Sequence, residues 1–226
     1  MSPGWIASLA IYLRFRGIQL NVEKQTGFRE VLPLARRLFL PIIAIVFFRS
    51  FLITGLGVYL PTLLVGEGAT IIKADTTLAI YQLAGVVGAV LGGTISDRFG
   101  RKPILFAVSL LAPLMTLVFL RASGWLIIPI LVLAGLFSLS SQPILLAIVQ
   151  DQLPNHRSIG NGLFMTISFI CLSISALGIG LLGDRFGLRQ AYFLTVISGF
   201  LVSPFVLLIP PSPKSGQALP SEPVQG

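Results

Sequence analysis

Residues 93–102 read Gly-Thr-Ile-Ser-Asp-Arg-Phe-Gly-Arg-Lys, and the central Asp-Arg-Phe-Gly at 97–100 occurs again at 184–187. Each copy separates two long apolar segments, and the two copies lie 87 positions apart. A charged, glycine-containing loop that joins apolar segments and occurs twice at a fixed offset indicates an internal duplication. This stretch decides the fold, because it fixes how the apolar segments on either side are related.

The duplication includes residues that precede both copies. Ala89 and Ala176 are related by the same offset of 87 positions, as are Gly93 and Gly180. Chance recurrence of a charged loop is the alternative, but it would have to place four identical and two small residues in one register. The predicted loop-motif residues are Gly93, Asp97, Arg98, Gly100, Arg101 and Lys102, with Gly180, Asp184, Arg185 and Gly187 in the second copy.

The composition points to a lipid bilayer as the partner of most of the chain. The 226 residues are 54% hydrophobic and 11% charged, whereas a soluble domain has about 25% charged residues. The net charge of +8 would suit nucleic acid, but six of the sixteen basic residues lie together at 14–37, beside an apolar segment. This distribution is typical of a cytoplasmic anchor, and we expect no nucleic-acid binding.

Reactive side chains are too few for a catalytic or metal site. The one cysteine, Cys171, lies within an apolar segment, and the one histidine, His156, lies in a loop beside Pro154. A disulfide or a cysteine-based metal site is therefore not expected, and His156 is interpreted as a solvated loop residue. The sequence also has no phosphate-binding glycine loop with lysine, so we expect neither an enzyme nor a bound cofactor.

Six apolar segments have the length of transmembrane helices. A helix rises 1.5 Å per residue and crosses about 30 Å of hydrocarbon in about 20 residues. Residues 1–37 are interpreted as the end of a preceding helix and a basic loop, and residues 210–226 as a disordered tail. The predicted spans are residues 38–65, 78–96, 104–120, 125–149, 159–182 and 191–209.

The positions of basic residues predict the orientation of these spans. Eleven basic residues outside the spans fall on the side of the N terminus and four on the other, which places both termini in the cytoplasm. Three spans separate the two loop copies, so the copies face opposite sides of the membrane. The predicted fold is therefore an all-α membrane protein with six transmembrane helices, arranged as an inverted 3+3 repeat.

The loop after the second span resembles the cytoplasmic loop motif of the major facilitator superfamily. The residues that carry this resemblance are those at 93–102, with Ile95 where that family most often has leucine. Pro154 and Arg157, followed by two glycines, also resemble the matching loop before the fifth span. The resemblance covers residues 38–209. Within the superfamily, the sequence is most similar to bacterial drug exporters of the fosmidomycin-resistance type.

This resemblance implies a larger assembly. Members of that family have twelve spans in two six-helix halves, and this chain resembles the C-terminal half. The implied location is the bacterial plasma membrane, and the implied partner is an N-terminal six-helix half or a second copy. Asp97 and Arg101 would form a latch that holds the outward-facing state, and Asp151 and Arg157 would belong to the same gating group. The alternative is a solvated loop whose charges only set topology.

Two further features lie within the spans. Small residues at spacings of four, including Gly88 and Gly92, predict that span two packs closely on span five or on a helix of the partner half. Arg49 is deep inside span one, and a buried guanidinium there should face a cavity or a partner. We interpret it as lining a substrate path, and a structural arginine is the alternative. The candidate path residues are Arg49, Tyr81, Gln82 and Gln142.

The function predicted from these observations is secondary active transport of a small solute or drug by alternating access. No acidic residue lies well inside a predicted span, so a proton-coupling carboxylate would belong to a partner half or to a span end such as Asp151. Two alternatives are an accessory membrane scaffold and an inactive truncated fragment. Neither the substrate nor the direction of transport follows from the sequence.

Overall fold

The computed structural model describes residues 28–209, with side chains described from Phe39 onward except that of Asn155. The helix end expected at residues 4–13, the basic loop up to residue 27 and the tail from residue 210 lie outside the described residues. Within the described range, every regular element is a helix. The seven α-helices are α1 (Phe28–Thr54), α2 (Leu60–Gly66), α3 (Ile71–Phe99), α4 (Arg101–Phe119), α5 (Ile127–Gln152), α6 (Arg157–Phe186) and α7 (Leu188–Leu207).

The six predicted spans are confirmed. The first span combines most of α1, a π turn at Gly55–Tyr59 and α2, and a short 3₁₀ turn at Gly124–Leu126 extends α5. The helices long and apolar enough to cross a bilayer are Phe39–Gly66, Ile71–Phe99, Arg101–Phe119, Gly124–Gln152, Arg157–Phe186 and Leu188–Leu207.

The second span begins seven residues before its predicted start at residue 78. Its first turn is polar, but Thr70 caps it by accepting a hydrogen bond from the backbone N–H of Lys73, at 3.4 Å. The hydroxyls of Thr76 and Thr77 donate to carbonyl groups one turn back. Hydropathy therefore marked only the apolar part of a longer helix.

The π turn in the first span follows from the local sequence. Pro61 has no N–H to donate and its ring crowds the carbonyl four residues earlier, so the regular α ladder cannot continue unchanged. The wider turn keeps the helix continuous, and the carbonyl of Gly55 accepts a hydrogen bond from the Tyr192 hydroxyl on α7. The first span is thereby tied to the sixth.

The small-residue stripe of α3 packs on α5, the fourth span. A methyl group on Gly88 would lie 2.2 Å from the backbone oxygen of Leu136, and one on Gly92 would lie 2.6 Å from Cβ of Ser140. The Ser140 hydroxyl also donates to the Gly88 carbonyl, at 2.7 Å. The prediction that this stripe contacts span five or a partner half is wrong, because α5 carries the matching small residues.

The fifth span packs on the first in the equivalent way. Thr54 and Ser175 share a hydroxyl–hydroxyl hydrogen bond of 2.8 Å, and the Tyr59 hydroxyl donates to the Ala176 carbonyl at 2.8 Å. Ser175 is related to Gly88 by the offset of 87 positions. In the repeat, the contact between spans two and four is therefore equivalent to the contact between spans five and one. The predicted inverted 3+3 repeat is confirmed.

Candidate functional site

Both loop copies adopt the same backbone turn. Each glycine, Gly100 with φ of +97° and Gly187 with φ of +87°, ends one helix and starts the next. A side chain is strained at such positive φ values, which explains why glycine occupies both positions. Gly93, in contrast, faces open space, and Gly180 lies against the hydroxyl of Tyr59. The turn therefore fixes how each second helix of a triplet leads into its third.

Arg101 forms the central ion pairs of the first copy. Its NH2 atom lies 3.3 Å from Asp97 Oδ1, and its Nε atom lies 2.5 Å from Asp151 Oδ2 at the end of α5. The side chain of Arg101 is 25% exposed and that of Asp151 is 32% exposed, whereas Asp97 is 60% exposed. The predicted pairing of Asp97 with Arg101 is therefore present, while Arg98 and Arg157 are exposed at the surface. The loop is thus joined to the end of the fourth span.

Two basic residues cap helix ends beside the loops. The Lys102 ammonium donates to the carbonyl groups of Leu207 and Ile209, each at 2.8 Å. The Arg189 guanidinium donates to the Leu120 carbonyl at 2.8 Å and forms a 2.7 Å ion pair with Glu67. Carbonyl groups at the end of a helix have no partner within the helix, so these cations satisfy them.

The second loop copy lacks a latch like that of the first. Leu188 occupies the position equivalent to Arg101, and Arg185 is exposed with its guanidinium 5.9 Å from the centre of the neighbouring Phe186 ring. Asp184 instead lines an open cleft of about 550 Å³ together with Tyr59 and other residues of α2, α6 and α7. Within the described residues, the ion pairs of Arg101 therefore have no equivalent in the second copy, although the backbone turn occurs in both.

Arg49 is buried and bonded to α5. Its side chain is 8% exposed, its NH1 atom donates to the Ser141 hydroxyl at 3.0 Å, and its NH2 atom donates to Oε1 of Gln142. In the repeat, α5 is the counterpart of the first span. Two of the four predicted path residues are thus in direct contact across the bundle.

The other two path residues lie on α3 in different surroundings. Tyr81 is fully buried, and its hydroxyl lies close to Ser138 and within electrostatic range of Arg49. Gln82 is exposed, with its amide facing the π turn near Gly57. Sequence reasoning missed Ser138 and its neighbours, although a polar run at 138–142 within an apolar span was a signal for them. Across residues 28–209, no three side chains of metal-ligating type lie close enough to hold an ion.

Together, the inverted triplets, the paired glycine turns and the charged loop define a polytopic helical membrane protein built from two inverted three-helix units. The sequence profile described as the Major Facilitator Superfamily matches residues 24–225. The chain belongs to the major facilitator superfamily.

Three curated proteins are similar to parts of this chain. The uncharacterized MFS-type transporter YfnC of Bacillus subtilis is 28% identical over 116 residues, which is 51% of this chain and 28% of YfnC. The benzoate transport protein of Acinetobacter baylyi is 29% identical over 119 residues, 52% of this chain and 26% of that protein. The fosmidomycin resistance protein of Escherichia coli is 27% identical over 125 residues, 55% and 31% respectively. The matched stretches span about a quarter to a third of these relatives.

The fold is similar to solved structures of the fucose:proton symporter FucP of E. coli. One structure superposes with a TM-score of 0.72 at 19% identity, covering 93% of this chain and 59% of FucP. A second, in the outward conformation, gives 0.72 at 18% identity, with coverage of 93% and 58%. At this identity the match establishes the fold alone, and it confirms the prediction of half a major facilitator fold.

Proposed function

We propose that this chain forms half of a secondary transporter that moves a small solute by alternating access. The observation that carries the proposal is the double ion pair of Arg101 with Asp97 and Asp151. It joins the α3–α4 loop to the end of α5, next to the close packing of α3 on α5. Such a charge contact stabilises one of two arrangements, and breaking it lets one helix group rock against the other.

The partner in this proposal is an N-terminal six-helix half, with this chain as the C-terminal half. The two helices that carry the loop motifs, α3 and α6, support it, because only 22% and 17% of their most apolar segments is buried inside the bundle. Their exposed faces combine large apolar side chains with small residues such as Gly93, which suit helix–helix contact in lipid. A second copy of the chain is the other partner that fits this symmetry.

The proposed substrate path passes Gln82 and Gln142, with Arg49 and Tyr81 behind them. Because Oε1 of Gln142 accepts the hydrogen bond from Arg49, its amide N–H groups are left to donate elsewhere. Arg49 thereby positions Gln142 as a donor, which favours a polar or anionic solute. Benzoate and fosmidomycin, named in two of the relatives, are the first candidates to assay, and fosmidomycin also makes drug export a specific alternative.

Transport by the Asp97→Asn variant tests the proposal. In bacterial cells where the wild type gives measurable benzoate uptake or survival on fosmidomycin, these would be measured together with the membrane level of each variant. We expect Asp97→Asn to reduce transport at an unchanged membrane level. Asp75→Asn, at the exposed opposite end of α3, is the matched control. Equal transport by Asp97→Asn and the wild type overturns the role of the latch.

The proposed location is the bacterial plasma membrane with both termini in the cytoplasm, supported by the eleven-to-four distribution of basic residues. An immunoblot against a C-terminal tag separates a half-length transporter from a fragment. A band near 24.3 kDa supports a separate half that needs a partner. A band at roughly twice that mass supports a longer chain that contains both halves.

A further inference from the structure

A small cavity lies inside the bundle between α1, α4, α5 and α7. Its volume is about 20 Å³, enough for one particle of about the size of a water molecule. The polar residues that line it are Arg49, Ser109, Ser138 and Ser141, and the rest of the lining is apolar or glycine. The cavity therefore has room for one small species beside these four polar side chains.

Two buried polar atoms of this lining have no hydrogen-bond partner among the described residues. They are Nε of Arg49 and Oγ of Ser138, in side chains that are 8% and 2% exposed. The buried hydroxyl of Tyr81 lies next to Ser138 and interacts with it. Because a serine hydroxyl can accept from Tyr81 and still donate its own O–H, Ser138 keeps a donor for a bound species. Buried donors without acceptors are costly, so a bound species that accepts hydrogen bonds would stabilise the bundle.

The charge of the site selects the kind of species. In the described residues, Arg49 contacts only neutral acceptors, Ser141 and Gln142, and none of the ion pairs there includes it. A buried cation without a counter-ion is strongly unfavourable in a bilayer. The cavity lining holds one positive charge, three hydroxyls and no carboxylate. An anion is therefore favoured over a cation, and over water because it also neutralises the guanidinium.

We propose that this cavity binds one small monatomic anion, chloride in cells, as the resident counter-ion of Arg49. The anion accepts hydrogen bonds from Arg49 and Ser138 and links α1 to α5 at the centre of the bundle. The site shares Arg49 with the proposed substrate path, but its lining includes neither Gln82 nor Gln142. The proposal goes beyond the transport function, and its test does not depend on transport.

Thermal unfolding of the full-length protein in detergent tests the site. The protein would be purified in sodium gluconate and titrated with chloride or bromide at constant ionic strength. We expect both halides to raise the unfolding midpoint with saturation, and gluconate, which is too large for the cavity, to have no such effect. The absence of a halide-specific rise overturns the proposal.

Two variants locate the effect. Ser138→Ala should raise the half-saturating chloride concentration by about tenfold or more, because it removes a hydrogen bond to a charged acceptor. Ser203→Ala is the matched control, since this buried hydroxyl also has no partner among the described residues but does not line the cavity. Arg49→Gln should abolish the response, and if that variant does not fold, Ser138→Ala alone decides. If Ser138→Ala has the same half-saturating chloride concentration as the wild type, the proposal is overturned.

Crystals grown in bromide give a direct measurement. An anomalous peak between Arg49 and Ser138 is expected. A water molecule in the cavity without anomalous signal overturns the assignment of an anion.

Discussion

Lys102 and Arg189 make the same contact at opposite ends of the bundle. Lys102 donates to the carbonyl of Leu207, and Arg189 donates to the carbonyl of Leu120. Donors and acceptors are both related by the offset of 87 positions. The third helix of each triplet therefore begins with a cation that caps the last turn of the other triplet's third helix. A cation at a helix C-terminus also interacts favourably with the helix dipole.

These caps predict a stability effect. Lys102→Met and Arg189→Met should each destabilise the protein by about 1 kcal/mol, because the carbonyl groups lose a charged donor. The measurement is the thermal unfolding midpoint in detergent. Lys73→Met, an exposed lysine at the start of α3, is the control and should have little effect. Equal midpoints for Lys102→Met and Lys73→Met would show that the cap does not stabilise the bundle.

The caps also show where sequence reasoning stopped. The repeat was predicted from identical residues, Asp-Arg-Phe-Gly, and this identity ends at Gly100. Lys102 and Arg189 differ as residue types, so identity alone does not align them, although both present a long cationic side chain. Applying the offset of 87 positions to charge rather than to identity would have predicted this pair.

The α3–α5 contact predicts opposite outcomes for two glycines on one helix. Gly88→Ala should destabilise the protein by about 3 kcal/mol, since its methyl group would meet the Leu136 backbone, which cannot move aside. Gly93→Ala meets nothing within 4 Å and should be neutral or stabilising by up to about 1 kcal/mol, because alanine favours a helix. Unfolding midpoints of both variants decide, and a similar loss in both would contradict the packing described.

The sequence predicted the close packing of α3 but not its partner. A stripe of small residues shows that a helix approaches, since backbones can come near only where side chains are small. Which helix approaches depends on a second set of small residues elsewhere, here Gly135 and Ser140 on α5. The spans themselves were predictable because bilayer thickness acts on each segment separately. Contacts between spans have no such local rule.

The latch residues should differ in their effect on transport. Asp151→Asn is expected to reduce transport more than Asp97→Asn, because Asp151 is the less exposed partner and lies closer to Arg101. Water screens the more exposed Asp97 pair, so losing it should cost less than losing the pair with Asp151. Initial transport rates at equal membrane levels are the measurement. A larger loss for Asp97→Asn would show that the loop pair, not the bridge to α5, controls the gate.

The pair between Arg101 and Asp151 also marks a limit of the sequence. Arg101 was predicted from its motif to pair with Asp97, and Asp151 was predicted as a member of the gating group and a span-end carboxylate, but not as the partner of Arg101. Fifty positions separate them, and the fold alone brings them to 2.5 Å. The motif singled out Arg101, whereas its pairing with Asp151 depends on how α4 and α5 pack together.

Arg49 and Gln142 predict a change in solute affinity. Arg49→Lys should raise KM for the transported solute by about tenfold, because one ammonium group cannot replace the guanidinium fork that reaches both Ser141 and Gln142. Gln142→Leu should act in the same direction by removing the donor. The exposed Arg121→Lys is the control. A wild-type KM in both Arg49→Lys and Gln142→Leu would remove these residues from the path.

The orientation of the bundle predicts which loops are open to the outside. Ser158 is an exposed residue at the start of α6, and Gln190 is an exposed residue just beyond its end, in the first turn of α7. The 30 residues of α6 span about 45 Å, enough to cross the bilayer completely. In a Cys171→Ala background, Gln190→Cys should react with an impermeant maleimide in intact spheroplasts, and Ser158→Cys only after permeabilisation. The eleven basic residues on the side of Ser158 give this direction, because cytoplasmic loops retain positive charge. The reverse pattern would invert the proposed topology, and labelling of both cysteines in intact spheroplasts would contradict α6 as a span.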